Sequence, residues 1–209
     1  MSDATEQPTE APKRRGRPPS GGREAILDAT LGLIRERGIA NLTSRDVAAR
    51  AGVSDASVYY HFEDRAGLLK AVFEYGMKPL QYMSTVEAQK MDRHTVLRKA
   101  MASLEEFFAD SLPVLLAAQS DPELAATLAE YVQINDLGPH KGVESLGAYL
   151  RSEQAAGRVN PDVDVEAAAL LLIDFSFSRV TRGQMLHQSE ERLPSRERVL
   201  ATLNQLLDP

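Results

Sequence analysis

From Arg23 onward, hydrophobic residues recur every three to four positions, which is the spacing of one face of an α-helix. In the segment REAILDATLGLIRERG this face comprises Ile26, Leu27, Thr30, Leu31 and Ile34. Gly38 follows this segment and predicts the end of the first helix, because glycine readily adopts the backbone conformations that terminate helices.

Three shorter predicted helices follow, each after a residue suited to capping a helix N-terminus. Thr43 precedes the second helix, and Asp46, three positions later, completes a pair that resembles a capping box. Gly52 is the predicted end of that helix. Ser54 and Asp64 are placed to cap the third and fourth helices.

The chain beyond residue 76 keeps helical spacing in longer segments. The predicted helices lie near residues 95–110, 113–119, 122–134, 141–156, 165–183 and 195–207. Pro113, Pro122 and the segments DLGPHKG, GRVNPDVD and RLPS are the predicted breaks between them. No segment alternates with the period of a strand over a useful length, so the predicted fold class is all-α.

Residues 44–62, SRDVAARAGVSDASVYYHF, have the spacing of a helix-turn-helix. With Ser44 counted first, Ala48 is fifth, Gly52 ninth and Val58 fifteenth. A small residue is needed where the helices cross, glycine suits a turn with positive φ, and Val58 wedges the second helix against the first. An αα-hairpin with no DNA-binding role has the same outline, so the spacing alone leaves both interpretations open.

Composition and charge narrow the class of protein. The 209 residues include no cysteine, which excludes disulfides and thiolate chemistry and fits a cytoplasmic location. The longest apolar run, residues 167–173, is too short to span a membrane, and no secretory signal is apparent. The net charge is −6, yet residues 11–76 contain 11 basic against 8 acidic side chains. A basic segment on an acidic body is typical of a small nucleic-acid-binding unit attached to a larger domain.

The segment GVSDASVYYHFEDRAGLL closely resembles the DNA-binding signature of the tetracycline-repressor (TetR) family of bacterial regulators, and the resemblance extends from about Ile26 to Phe73. It implies an N-terminal three-helix helix-turn-helix domain within residues 23–76, joined to a larger helical domain, residues 77–209, that binds an effector and dimerises. It further implies a homodimeric regulator, more specifically a repressor, that binds a palindromic DNA operator and is released by a small molecule.

The resemblance also implies which side chains contact DNA. The recognition helix would extend from Ser54 to Phe62, with its first turn at base edges in the major groove and its flanks at phosphates. The predicted contacts in this domain are Thr43, Arg45, Ser54, Asp55, Ser57, Tyr59, Tyr60, His61 and Arg65.

Some of these residues have a second interpretation. Tyr59 suits either a phosphate or the hydrophobic core on the first helix, and His61 either a phosphate or a corner of the fold. Phosphates repel the charge of Asp55, so stabilising its own helix N-terminus is favoured over accepting from a cytosine amino group. Gly67 departs from the helix-forming residue usual in the family and is expected to soften the fourth helix.

In the C-terminal region, the resemblance implies an effector pocket and an interface formed by the last two long helices. Residues 165–180 are apolar on nearly every side, as expected of a helix between its own core and a partner, although a monomeric bundle would bury it too. The candidate effector-binding residues are Met101, Phe108, Tyr131, Asp174 and Phe175. For Asp174, a solvent-facing or interface position is favoured over burial beside an arginine.

Catalytic and metal-binding signals are weak. The four histidines, at positions 61, 94, 140 and 187, are too scattered for a metal site, and no phosphate-binding loop or dinucleotide fingerprint is present. The sequence therefore predicts no cofactor, no metal and no enzymatic activity.

Residues 1–22 form a predicted disordered arm, rich in Pro and Gly, that contains the basic segment KRRGRPP. Its RGRP core resembles an AT-hook, in which glycine admits the backbone to a narrow minor groove and flanking arginines follow the groove floor. Arg14, Arg15 and Arg17 are therefore predicted DNA contacts. Two alternatives stay open: a flexible tail with nonspecific phosphate attraction, or an architectural DNA binder whose body only dimerises.

Overall fold

Helices account for all the secondary structure in the described part of the chain, which confirms the predicted all-α class. A computed structural model describes residues 20–78, 80, 90–186 and 193–209. The α-helices are α1 (Ser20–Arg37), α2 (Ser44–Ala51), α3 (Asp55–Phe62), α4 (Arg65–Gly76), α5 (Arg93–Ala118), α6 (Pro122–Ile134), α7 (Pro139–Ala155), α8 (Val165–Leu186) and α9 (Arg196–Leu207). None of these described helices is long and apolar enough to cross a membrane.

The predicted helix caps are confirmed. The Thr43 hydroxyl accepts from the Asp46 backbone N–H at 3.1 Å and donates to the Asp46 carboxylate at 2.7 Å. The Ser54 hydroxyl accepts from the N–H of Ser57 at the start of α3, and the Asp64 carboxylate accepts from the N–H of Gly67 at the start of α4. Each cap satisfies a backbone donor that has no partner within its own helix.

Several helix boundaries differ from the sequence predictions, and the largest differences are in α1 and α5. Helix α1 begins at Ser20, so residues 20–22 of the predicted arm are helical. The predicted break at Pro113 is wrong, because α5 continues through it from Arg93 to Ala118. Leu112 and Val114 are both buried beside the proline, and this packing offsets the backbone hydrogen bond that a proline cannot form.

The buried side chains form two hydrophobic cores. The first core combines α1–α4 with Val114 at the end of α5 and Leu124 and Leu128 of α6. The second core joins the earlier part of α5 to α7, α8 and α9. Helix α5 therefore belongs to both cores, and the first core extends past the predicted domain boundary at residue 76.

Candidate DNA-binding surface

The α2–α3 pair has the packing expected of a helix-turn-helix. Ala48 and Val58 are buried, at the positions where the two helices cross. Gly52 ends α2 in the left-handed conformation, with φ 68° and ψ 33°, which glycine reaches without steric cost. The Val53 N–H donates to the Ala48 carbonyl at 3.0 Å, and this bond closes the turn before α3 begins.

Helix α3 divides into a buried and an exposed side. Val58 and Phe62, four residues apart, face the first core. The opposite side presents Tyr60, which is 84% exposed, and Tyr59, which is 52% exposed. Asp55 is also exposed. The structure thus leaves the polar and aromatic face of α3 open while the apolar face anchors the helix.

Tyr59 is not a core residue. Its hydroxyl lies 3.3 Å from the Ser44 hydroxyl in the first turn of α2, so it bridges the two helices at their exposed edge. The phenol remains accessible there, and its predicted phosphate contact stays a prediction.

His61 lies where α3 meets the start of α1. A Cβ at Gly22 would lie 3.4 Å from the His61 Nε2, and the Arg23 guanidinium lies 5.3 Å from the centre of the Phe62 ring. The imidazole also contacts the Tyr60 ring edge to face, with 5.2 Å between ring centres. His61 therefore lies in a half-buried corner, and its predicted phosphate contact stays a prediction.

The predicted contacts around α3 have different surroundings. Ser54 and Asp55 are exposed at the N-terminus of α3, where the carboxylate of Asp55 complements the helix dipole. Arg45 is exposed in the first turn of α2, next to the Thr43 cap. The N-termini of α2 and α3 thus each present polar side chains to solvent.

Arg65 has a role that the sequence did not indicate. Its guanidinium donates to the backbone carbonyls of Leu42 at 2.9 Å and Ile39 at 3.0 Å. These bonds fasten the start of α4 to the link between α1 and α2. Carbonyl acceptors carry no side-chain signature, so nothing in the sequence pointed to this contact, and a phosphate contact by Arg65 stays a prediction.

A second arginine, Arg50, fastens α2 to α1. It forms two hydrogen bonds with the Glu36 carboxylate, at 2.6 and 2.7 Å. The hydrogen bond from Arg50 lowers the pKa of Glu36. The pair is exposed, so it orients the helices more than it stabilises them.

The candidate effector-binding residues are not brought together into one site. Met101 is fully buried in the second core, where Phe108 and Phe175 pack at its edge. Tyr131 instead packs against the first core, and burial raises its pKa. Asp174 is exposed on α8, as favoured from the sequence.

A shallow surface depression lies away from the effector candidates. It is lined by Leu33, Arg37, Gly38, Asn41, Leu42 and Asp46, between α1 and α2. Arg14, Arg15 and Arg17 lie outside the described residues.

The chain matches known regulators in sequence and in fold. Residues 26–72 match the family model of bacterial regulatory proteins of the tetR family. The HTH-type transcriptional regulator BetI of Serratia proteamaculans is 32% identical over 172 residues, which cover 80% of this chain and 85% of that protein.

Two solved structures extend the match to the whole helical body. A protein from Rhodococcus sp. assigned to the TetR family of transcriptional regulators is 26% identical, with a TM-score of 0.59 over 89% of this chain and 96% of that one. A transcriptional regulator from Saccharomonospora viridis in complex with choline shares the fold, with 20% identity and a TM-score of 0.64 over 89% of this chain and 95% of that one. The chain therefore belongs to the TetR family of DNA-binding transcriptional regulators.

Proposed function

We propose that this chain represses transcription as a homodimer on a palindromic operator and leaves the operator when a small-molecule effector binds. The observation that carries the proposal is the division of α3, which buries Val58 and Phe62 and exposes Tyr59 and Tyr60 beside the polar N-terminal turn. A helix anchored in this way can enter a major groove with its aromatic and polar face toward the bases.

A second copy of the chain is the proposed partner of α8 and α9. Helix α8 leaves Leu170, Leu171 and Phe177 exposed, and α9 leaves Leu206 exposed, although both helices bury other residues in the second core. Apolar side chains left exposed on helices favour association with a matching surface. A dimer would place two copies of α3 for successive major grooves of a palindrome.

The effector is proposed to bind the C-terminal helical body. Met101, Phe108 and Phe175 cluster in or beside the second core, and the Phe108 ring contacts the Phe177 ring of α8 with 5.2 Å between centres. Choline is the first compound to test, because a regulator of the same fold was solved with it. Release follows if the effector changes the separation of the two α3 helices, since DNA fixes the spacing of the half-sites.

The N-terminal arm is proposed as a second DNA contact through Arg14, Arg15 and Arg17. In support, α1 begins at Ser20 and its first turn passes the end of α3, where Gly22 adjoins His61. The arm therefore joins the folded domain beside the proposed major-groove helix, within reach of the adjacent minor groove.

The test is selection of genomic DNA fragments bound by the full chain, followed by footprinting and a screen for compounds that release them. A discrete palindrome and repression of a reporter behind it support the proposal. General protection of AT-rich DNA would instead identify an architectural binder. Activation of the reporter would identify an activator instead of a repressor. Turnover of a candidate ligand would indicate an enzyme.

A further inference from the structure

Helix α5 passes from one hydrophobic core to the other within a few residues. Leu104 is its last fully buried residue in the second core, and Val114 is its first in the first core. Between them, Phe107 packs against the first core and Phe108 against the second. We name residues 109–113, which lie between these aromatic residues and Val114, the α5 joint.

At the α5 joint, Asp110 forms an ion pair with Arg35 in the last turn of α1. Arg35 Nε donates to Asp110 Oδ1 at 2.8 Å, and Nη2 donates to Oδ2 at 2.9 Å. Asp110 is only 4% exposed, whereas the Arg35 side chain is half exposed. Burial raises the pKa of Asp110, and the hydrogen bond from Arg35 opposes that shift. The buried carboxylate therefore depends on α1 for its partner.

Ala109, which precedes Asp110 in the α5 joint, is hydrogen-bonded to α8 instead of α1. Pro113 has no N–H, so it cannot donate to the carbonyl of Ala109 four residues earlier, as the helix pattern requires. The side-chain amide of Gln184 in α8 donates to this carbonyl at 3.0 Å. The proline thus leaves the Ala109 carbonyl without its usual donor within α5, and Gln184 of α8 supplies a donor.

The α5 joint also contains a buried polar group that the packing does not satisfy. The Ser111 hydroxyl is fully inaccessible and has no hydrogen-bond partner among the described residues. A buried hydroxyl without a partner costs free energy.

We propose that the α5 joint couples α8 to the DNA-binding domain. The Gln184–Ala109 hydrogen bond joins α8 to the joint, and the Arg35–Asp110 ion pair joins the joint to α1. The two links originate from adjacent residues of one helix, so a displacement of α8 that moves Ala109 also moves Asp110. Arg35 then transmits this movement to α1, against which the helix-turn-helix packs. The coupling goes beyond the proposed repression, and it rests on contacts between described residues alone.

A double-mutant cycle in hydrogen exchange tests the coupling on the full chain without any ligand. Gln184→Ala removes the α8 link, and Arg35→Gln removes the ion pair at its half-exposed end. Thr181→Ala is the matched control, since the Thr181 hydroxyl donates to the Phe177 carbonyl within α8. The measured quantity is the exchange rate of amides in residues 30–37.

The coupling predicts that Gln184→Ala speeds this exchange at least about twofold, the factor expected from the weaker coupling energies between contacting residues. In the Arg35→Gln background the same substitution should have no further effect, and Thr181→Ala should have none in either background. An equal effect of Gln184→Ala in both backgrounds, or no effect on α1, would overturn the proposal. Asp110→Asn provides a second background that lacks the ion pair. If the Asp110→Asn variant does not fold, the result in the Arg35→Gln background decides the test.

Operator binding separates this proposal from the proposed function. With a DNA fragment obtained by selection, Gln184→Ala should change the affinity in the native background and leave it unchanged beside Arg35→Gln. If the chain selects no DNA fragment, the proposed function fails, whereas the exchange cycle still decides whether α8 and α1 are coupled.

Discussion

A Cβ at Gly67 would lie only 2.5 Å from the carbonyl oxygen of Phe62, the last residue of α3. The contact arises because the chain reverses sharply between α3 and α4, with Glu63 at φ 55° and Asp64 capping α4. The Phe62 carbonyl is backbone and cannot rotate away. A glycine in the first turn of α4 is thus required by close packing against the end of α3.

We therefore predict that Gly67→Ala lowers the free energy of unfolding by about 1–3 kcal/mol, the usual cost of overpacking. Urea denaturation followed by circular dichroism measures this change. Gly183→Ala is the matched control, because nothing lies within 4 Å of a Cβ at that exposed position in α8. The control should be stabilised by about 0.5–1 kcal/mol, the difference in helix preference between alanine and glycine. Equal stabilisation of both variants would contradict the close contact.

Gly67 also shows where sequence reasoning fell short. The expectation that this glycine softens α4 considered only helix preference, but its reason is a contact with a backbone atom of another helix. The caps Thr43, Ser54 and Asp64 are predictable because each capping oxygen and the backbone N–H that donates to it lie three residues apart. Local geometry of this kind can be derived from spacing alone.

Contacts distant in sequence could not be predicted in the same way. Arg35 and Asp110 are 75 positions apart, and neither residue type reveals its partner. Pro113 predicts a break because proline usually ends helices, whereas buried neighbours keep α5 continuous. The apolar candidates for the effector site, such as Met101 and Tyr131, could not be divided between the two cores before the packing was known.

The proposed role of α3 predicts that Tyr60→Ala reduces operator affinity by about 5- to 150-fold, since one good base contact contributes about 1–3 kcal/mol. Tyr60 is 84% exposed, so the melting temperature should not change. Ile134→Ala is a suitable control, because Ile134 is another strongly exposed apolar residue, at the end of α6. Fluorescence anisotropy with the selected fragment measures both. Full affinity of the Tyr60 variant would contradict the assignment of α3 as recognition helix.

Arg93 is expected to stabilise the C-terminal body. Its guanidinium donates to the backbone carbonyls of Arg158, Leu207 and Asn204, and it pairs with Asp208. These acceptors come from the α7–α8 link and from the end of α9, so one side chain joins three parts of the chain.

We predict that Arg93→Ala lowers the free energy of unfolding by about 2–4 kcal/mol, because several charge-assisted hydrogen bonds are lost together. Thermal denaturation is the measurement. Arg98→Ala, at an exposed position of the same helix, should change stability by less than about 0.5 kcal/mol. Similar losses in the two variants would indicate a general effect of charge removal.

Glu153 predicts a pH-dependent contribution to stability. Its side chain is 10% exposed and forms two hydrogen bonds with Arg158, at 2.7 and 2.8 Å. The hydrogen bond from Arg158 lowers the pKa of Glu153 below its ordinary value of 4.5. A lowered folded-state pKa stabilises the fold above the unfolded-state value, and this contribution is lost as the pH falls through the folded-state value.

Glu153→Gln should therefore lower the free energy of unfolding at pH 7, and the difference from the native chain should shrink as the pH falls below 4.5. Urea denaturation at a series of pH values measures the difference. Glu130→Gln, at an exposed position of α6, serves as control. A difference that stays constant into the acid range would show that the charge of Glu153 does not contribute.

The N-terminal arm makes a prediction that depends on salt. A protein that neutralises phosphates releases counterions, and the logarithm of its affinity falls with the logarithm of salt concentration by about 0.9 per phosphate. If Arg14, Arg15 and Arg17 enter the minor groove beside the half-site, replacing all three with Gln should weaken operator binding and reduce the slope by up to about three. Deleting residues 1–18 should do the same, and the intact start of α1 should keep the melting temperature unchanged.

The base composition of the flanking DNA distinguishes a minor-groove contact from a nonspecific tail. The loss should be larger for operators flanked by A·T pairs than for the same operators flanked by G·C pairs, because the narrow A·T groove attracts inserted arginine. An equal loss on both flanks would identify a basic tail, and unchanged affinity would remove the arm from the DNA contact altogether.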